Sequence, residues 1–409
     1  MTRLHQRSRR RRSRNGIAML VVIASIMILT VLVTDIGFAS RVRFLGASHE
    51  RDQHEAYWLA NTGANVYRLL LIVNKQLATQ LGSLTKNLDP ASSPMGAMLG
   101  LIDAQDPIVS MVPMINSGLM RMVFAGDGDV SDEDAKDFAQ TGQVSDEVRE
   151  KSMDEGSSSR FDTANFLDFD GDFMAEVKPE DCRINVNRLS SVTAGALMDN
   201  ATAQQIYAMM SGEENETWLR ERNLDRWDLI GNLADWVDVD GTVATGKGGY
   251  EDGAYSRMEP PMKVKNAPFD TPSEIRLVDG WQDDVYDRFG KELTIFGSGK
   301  VNINCASDDM IKGMLRAYAG VTTDSEAEAL IEQLHEYKTL NAVHNARDFK
   351  TFLENEGRTV DAKMNDALTD RNTVYTITSL GTLQDASAKI TVVVNMKTAT
   401  GKVVYYRVD

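Results

Sequence analysis

Cysteine is scarce: Cys182 and Cys305 are the two in 409 residues, too few for the disulfide framework of a small secreted scaffold. They could pair in an oxidising compartment or stand as two buried thiols, and the sequence leaves both open. Proline is absent before Pro90, so nothing in the first part of the chain forces a helix to break. Basic charge is short as well. The chain has 44 Lys and Arg against 60 Asp and Glu, and seven of its arginines fall between Arg3 and Arg14, so 37 face 60 in the remainder, a net of −23. That remainder lacks the basic surface that phosphate binding requires, which argues against nucleic acid and anionic lipid headgroups as its partners. Its carboxylates favour calcium or basic partner faces instead.

One long apolar run is present. Ile17 to Thr34 reads IAMLVVIASIMILTVLVT without a charge, and at about 1.5 Å per residue it nearly spans a hydrocarbon core of about 30 Å. The run predicts a membrane helix. Arg3, Arg7, Arg9, Arg10, Arg11, Arg12 and Arg14 precede it and hold that end in the cytoplasm. A cleaved signal peptide would need small residues at A-x-A spacing after the run, and Asp35, Gly37, Ala39, Ser40 and Arg41 make a poor site. Instead Ala56, Leu59, Ala60, Gly63, Val66, Tyr67, Leu70, Asn74, Leu77 and Leu81 recur at steps of three and four. Such a stripe requires a packed domain to cover it. Together the two patterns predict one helix from Ile17 to Leu81, roughly 65 residues and about 100 Å long.

Residues 83 to 160 are irregular, with Ile108 to Phe124 apolar enough to be buried and Asp127 to Arg160 acidic and solvated. Asp127, Asp129 and Ser131 imitate the start of a calcium loop, but Asp132 and Phe138 stand where Gly and Glu are required. Asp168, Asp170 and Asp172 form a second acidic cluster that a hairpin turn explains. Phe173 to Lys178 and Cys182 to Asn187 predict a hairpin around Pro179-Glu180, and Leu293 to Phe296 with Lys300 to Asn304 predict another around Gly297-Ser298-Gly299. Helical patterns cover Ala194 to Met210, Glu213 to Arg222, Trp227 to Trp236 and the stretch from Asp308 to Leu368. The phrases Ile184-Asn185-Val186-Asn187 and Ile303-Asn304-Cys305-Ala306 read as one strand-to-helix device used twice, with polar residues as caps. Val374 to Leu380, Ala388 to Met396 and Val403 to Val408 are three β-rich runs, with turns at Gln384-Asp385 and Thr400-Gly401. The fold class is α+β: a long N-terminal transmembrane and amphipathic helix, an antiparallel sheet, and a large α-helical insertion.

Three enzyme-like signals are each incomplete. Gly241 to Gly248 matches G-x-x-x-x-G-K, yet Gly248 replaces the magnesium-binding Ser or Thr and no helix pattern follows. His335-Glu336 lacks the second His of a zinc protease helix, since residue 339 is Thr. Ser298 sits in a hairpin turn with no nucleophile elbow around it. The chain reads as a non-enzyme.

A basic leader ending in Gly16, then an apolar segment that continues into an amphipathic helix, resembles a type IV pilin-like protein. The resemblance implies a pilin-like fold and cleavage by prepilin peptidase between Gly16 and Ile17. Pilins place Glu fifth in the mature chain, where this sequence has Val21; a subunit with none ahead of it needs no such acid. The phrases Leu233 to Asp240, Gly249 to Asp252, Lys265 to Phe269 and Ser273 to Val278, in that order, are similar to the K-type minor pseudopilin family of type II secretion, general secretion pathway protein K. That family implies a non-enzymatic tip subunit which initiates or caps a filament for export of folded proteins across the outer membrane. Its partners would be the I-, J- and H-type minor pseudopilins, prepilin peptidase and the inner membrane, with no nucleic acid. The chain would cross the inner membrane once, with a periplasmic C-terminal head. The implied divisions are a leader at 1–16, a transmembrane part at 17–40, the rest of the helix with the acidic loop and first strands at 41–187, the helical insertion at 188–371, and closing strands at 372–409.

The same resemblance implies calcium. Asp235, Asp238 and Asp240 converge at a helix end, and Glu251 and Asp252 return after a glycine-rich loop, a density of hard oxygen ligands that suits Ca²⁺. Asp238, Asp240, Glu251 and Asp252 are the ligand candidates, with Asp235 behind them; a solvated acidic loop is the alternative. Two other readings stay open. VNINCASDDMIKGMLRAYAG resembles the helix-hairpin-helix of membrane-anchored DNA receptors, although Ala319-Gly320-Val321-Thr322 offers one glycine and Arg316 alone nearby. A minor pilin of a type IV pilus-like machine shares the leader and helix but not the helical insertion.

Overall fold

The computed structural model describes residues 15–85, 106–124 and 169–409, apart from residues 194, 248, 258, 341, 342, 344, 345 and 399. The leader to Arg14, the acidic stretch 127–160 with its calcium-like start, and Asp168 lie outside the described residues. The apolar and amphipathic patterns join in one 71-residue helix, α1 (Asn15–Thr85). Among the described residues it is the one helix long and apolar enough to cross a membrane. Side chains from Met19 to Leu45 are exposed whatever their polarity, whereas Ala56, Leu59, Ala60, Ala64, Tyr67 and Leu71 are buried on one face. That change of pattern marks where the globular part begins.

What buries the stripe is a five-stranded antiparallel sheet. A short helix α2 (Pro107–Met111) leads to β1 (Met114–Asn116), and α3 (Ser117–Phe124) follows it. The apolar pattern there signals burial but not a strand. β2 (Asp172–Pro179) alternates exposed and buried residues over its length, so Phe173, Ala175 and Val177 face α1. The α1 stripe meets them together with Tyr375, Ile377, Ile390, Val392 and Val394 from the C-terminal strands. The contact is made by small residues: Gly63 lies over Phe173, Ala175 and Ser379, and Gly381 lies under Ala56 and Ala60. Lys75 fixes the far end of the helix, donating to the carbonyls of Met396 at 2.7 Å and Thr398 at 3.0 Å.

β2 pairs with β7 (Val374–Leu383) from Asp172↔Thr382 to Pro179↔Tyr375. Everything between Pro179 and Val374 is therefore inserted between two adjacent strands. The inserted body starts with β3 (Ile184–Asn185) and a 3-10 turn, then α4 (Ala201–Met209), α5 (Glu213–Glu221), α6 (Arg226–Val237) and α7 (Asp252–Tyr255). It continues through α8 (Asp283–Phe289), β4 (Leu293–Thr294), β5 (Val301–Asn302), α9 (Asp308–Tyr318), α10 (Asp324–Leu340), α11 (Ala346–Asn355), α12 (Met364–Ala367) and β6 (Leu368–Thr369). Polar caps set the helix starts: Asn200 accepts from Thr202 N and Ala203 N, Asp225 from Asp228 N, and Ser307 from Met310 N. Its own core holds Ile184, Ile206, Leu233, Trp281, Leu293 and Phe349, separate from the cluster between α1 and the sheet. The closing strands β8 (Ala386–Asn395) and β9 (Lys402–Val408) complete the sheet, whose order is β1-β2-β7-β8-β9.

Both expected hairpins are replaced by other pairings. β3 pairs in parallel with β4, and β5 in parallel with β6, because β2 spends its edges on β1 and β7 and its chain turns away at Glu180. The repeated device holds in a shifted register. Asn185 accepts from Asn187 N at 3.0 Å, and Asn302, not Asn304, accepts from Asn304 N at 3.1 Å, so Ile184-Asn185-Val186-Asn187 corresponds to Val301-Asn302-Ile303-Asn304. Helix starts at Ala201 rather than Ala194. Of the two states open to the cysteines, the structure has the pair: Cys182 and Cys305 form a disulfide.

Candidate metal centre

The hydrophobic face of α6 carries Leu229, Ile230, Leu233, Ala234, Trp236 and Val237 into the body's core, and Asp235 goes in with them. Asp238 caps the same helix at its C-terminus. The chain then loops out and returns through an isolated Thr242↔Tyr250 bridge. Gly246 and Gly249, at φ +70° and +118°, supply the left-handed turns that bring Glu251 back beside the helix end. One carboxylate oxygen each from Asp235, Asp238 and Glu251 lies within 4.8 Å of the others.

All three carboxylates are buried, with exposures of 5%, 3% and 7%. Asp235 accepts one hydrogen bond, from Ala244 N at 2.6 Å. Oδ1 of Asp238 and both carboxylate oxygens of Glu251 meet no protein donor in hydrogen-bond geometry. Burial pushes Asp235 up to about 6, with Asp240 adding and the Ala244 bond opposing. Burial, then Asp240 and Asp235, push Asp238 up to about 7. Burial, then Asp238, Asp235 and Asp240, push Glu251 up to about 7, with the nearby Asn266 amide opposing. Three like charges this close and this dry cannot all persist unneutralised. No Lys or Arg pairs with any of the three among the described residues. A further oxygen nearby belongs to Asn266, held at φ +47°. Its Nδ2 donates to the Asp240 carbonyl at 2.7 Å while its buried Oδ1 has no partner. The donor set is hard oxygen throughout and fits a calcium-like cation.

Of the four sequence candidates, Asp238 and Glu251 are thus brought together, with Asp235 as the third member. Asp240 and Asp252 are placed differently. Asp240 is exposed and accepts from Thr242 N at 2.8 Å, and Asp252 accepts from Val264 N at 3.0 Å. Their carboxylates shape the loops at the rim. Asn266 is hidden in the sequence because a lone Asn has no spacing signature; its position before Ala267-Pro268, where a left-handed turn suits Asn, is the available signal. Gly16 and Ile17, the candidate cleavage residues, stand in the first turn of α1.

The enzyme-like phrases make local polar contacts. Lys247 of the G-x-x-x-x-G-K phrase pairs with Asp228. His335 lies 3.1 Å from Asp308 on the helical surface. Ser298 donates its N–H to Asp181 at 3.2 Å.

The profile of the family described as Type II secretion system (T2SS), protein K matches residues 182–297, under half of the chain. That segment has the protein K pattern. It contains Asp235, Asp238, Glu251 and Asn266, and it holds the ordered phrases from Leu233 to Val278. Curated proteins give no match to the chain. Among solved structures, a chain of the GspK-GspI-GspJ complex from the enterotoxigenic Escherichia coli Type 2 Secretion System is similar at 17% identity and a TM-score of 0.45, over 59% of this chain and 80% of that one.

Proposed function

We propose that the chain is a K-type minor pseudopilin, a non-enzymatic subunit at the tip of a type II secretion pseudopilus, where it initiates or caps the filament. The protein K match over residues 182–297 carries this reading. α1 supports it as the anchor: prepilin peptidase would cut between Gly16 and Ile17, leaving the apolar half in the inner membrane among the helices of I-, J- and H-type partners and the head in the periplasm. The absence of an acid at Val21 suits a subunit with nothing above it, and the bulky inserted body would block stacking. Asp235, Asp238 and Glu251, with Asn266 beside them, would hold a structural Ca²⁺ that neutralises the buried carboxylates and ties the 238–266 loops to the end of α6. The acidic head, net −23 without its leader arginines, disfavours the DNA-receptor alternative. The test is to express the full chain with and without prepilin peptidase, sequence the N-terminus, and follow export of a folded protein. Processing to Ile17 with export lost on deletion and restored by the full chain agrees with the proposal; an unprocessed chain, or export indifferent to it, contradicts it.

A further inference from the structure

The inserted body leaves the sheet at Pro179 and rejoins it at Val374, side by side on one strand pair: Pro179 faces Tyr375, and Glu180 N is bonded to Val374 O at 2.8 Å. Two adjacent strands are a natural hinge, because the body's core and the sheet's core are separate clusters that each could persist while the join bends. Across the join the structure is polar and dry. Asp181, 1% exposed, accepts at Oδ2 from Thr373 N at 2.6 Å, Thr373 Oγ1 at 3.1 Å and Val374 N at 3.1 Å, and at Oδ1 from Ser298 N at 3.2 Å. Its carbonyl accepts from Asn302 N at 2.6 Å. Asn302 in turn donates to Asn372 Oδ1 at 3.0 Å, and Asn372 donates to Asp106 at 2.5 Å. Asp106 also accepts from Asn74 of α1 at 2.9 Å. A chain of buried and half-buried polar contacts thus runs from the membrane-borne helix to the inserted body.

The disulfide sits on this join. Cys182 follows Asp181 in the turn that leaves β2, Cys305 lies three residues beyond Asn302 on the segment laid across that turn, and Sγ of Cys305 is 3.5 Å from Asn372 Oδ1 on the stretch that leads into β7. Cys182 is buried yet belongs to neither hydrophobic cluster. The bond therefore fastens the hinge and no core. We propose that Cys182–Cys305 is a redox lock: closed, it makes α1, the sheet and the inserted body one rigid unit; open, it lets the body move about the two connecting segments, the turn at 180–182 and the stretch 372–374, while both cores stay folded. Closing passes two electrons and two protons from the two thiols to an external protein disulfide, which leaves as a dithiol; a dithiol reductant reverses the exchange. The lock would set after export into an oxidising compartment, so the subunit would become rigid only on the side of the membrane where it works.

Hydrogen exchange of the full chain in detergent micelles tests this, comparing the oxidised protein with Cys182→Ser/Cys305→Ser. The amides of Asn302, Thr373 and Val374 should exchange about tenfold or more faster in the variant, with those of α6 and β8 unchanged, as local opening predicts. Unchanged rates at the three amides, or an equal rise in α6 and β8, would overturn the lock. Should the variant fail to fold, the folded wild-type chain treated with a dithiol is read at the same amides: faster exchange there alone supports the lock, and unchanged or uniformly faster exchange overturns it. Asp181→Asn, which keeps the disulfide, should loosen the three amides less than opening the disulfide does; a greater loosening would show that the carboxylate, not the sulfur bridge, is the lock.

Discussion

A β-carbon on Gly381 would stand 2.1 Å from the carbonyl oxygen of Ala56, so the backbones of β7 and α1 touch where the rod meets the sheet. Gly381→Ala should therefore cost about 1–3 kcal/mol through overpacking, read by chemical denaturation of the full chain in micelles. Gly46→Ala, with nothing near its β-carbon, is the control and should be neutral or slightly stabilising. Equal behaviour of the two would mean that α1 is not seated as described.

Calcium should raise the melting temperature through Asp235, Asp238 and Glu251. At a hundredfold excess over Kd the gain is about 2.7 kcal/mol. Glu251→Gln or Asp238→Asn should abolish the calcium-dependent rise and, in chelator, leave the protein as stable or more so, since one of three crowded charges is gone. Asp252→Asn, whose carboxylate serves a backbone N–H, should retain the rise. A loss in all three variants would move the site to the rim.

The same carboxylates set a pH dependence in chelator. Their folded pKa values, about 6, 7 and 7, lie above the ordinary carboxylate value. Between about pH 4 and 7 the folded state then binds protons that the unfolded state has lost, so stability falls as pH rises through that window. A melting temperature that rises from pH 5 to pH 7 in chelator, but not in Glu251→Gln, would contradict the arrangement.

Tyr375 donates to the buried Asp106, which also serves Asn74 and Asn372. Tyr375→Phe should cost about 1–3 kcal/mol because it withdraws a donor from a buried carboxylate, read by denaturation; a neutral result would show that other donors suffice.

How much of this is legible in the sequence differs by scale. Long periodic features are: the helix from Ala56 to Leu81, the strands after Val374, and the acid-rich turn after Leu233 stand where the residues put them, although the covered stripe ends near Asn74 and leaves Leu77 exposed. Pairings are not. Two-residue strands such as Ile184-Asn185 have no period to read, and their partners, Leu293-Thr294 across a helical body, are set by tertiary packing. For the same reason Cys182 and Cys305, 123 residues apart, can be joined only in three dimensions. Within the acidic turn, the sequence puts Asp235 behind the other four carboxylates; burial on α6 and the Gly246 and Gly249 turns bring it forward to Asp238 and Glu251 and leave Asp240 and Asp252 at the rim.

Tip assembly with other minor pseudopilins stands or falls on co-purification. The full, processed chain would be co-expressed with I- and J-type minor pseudopilins from the same genome, extracted in mild detergent and sized with light scattering. A stable complex containing one copy of each is expected. A chain that elutes alone, or that binds DNA in a salt-sensitive manner instead, would contradict tip assembly.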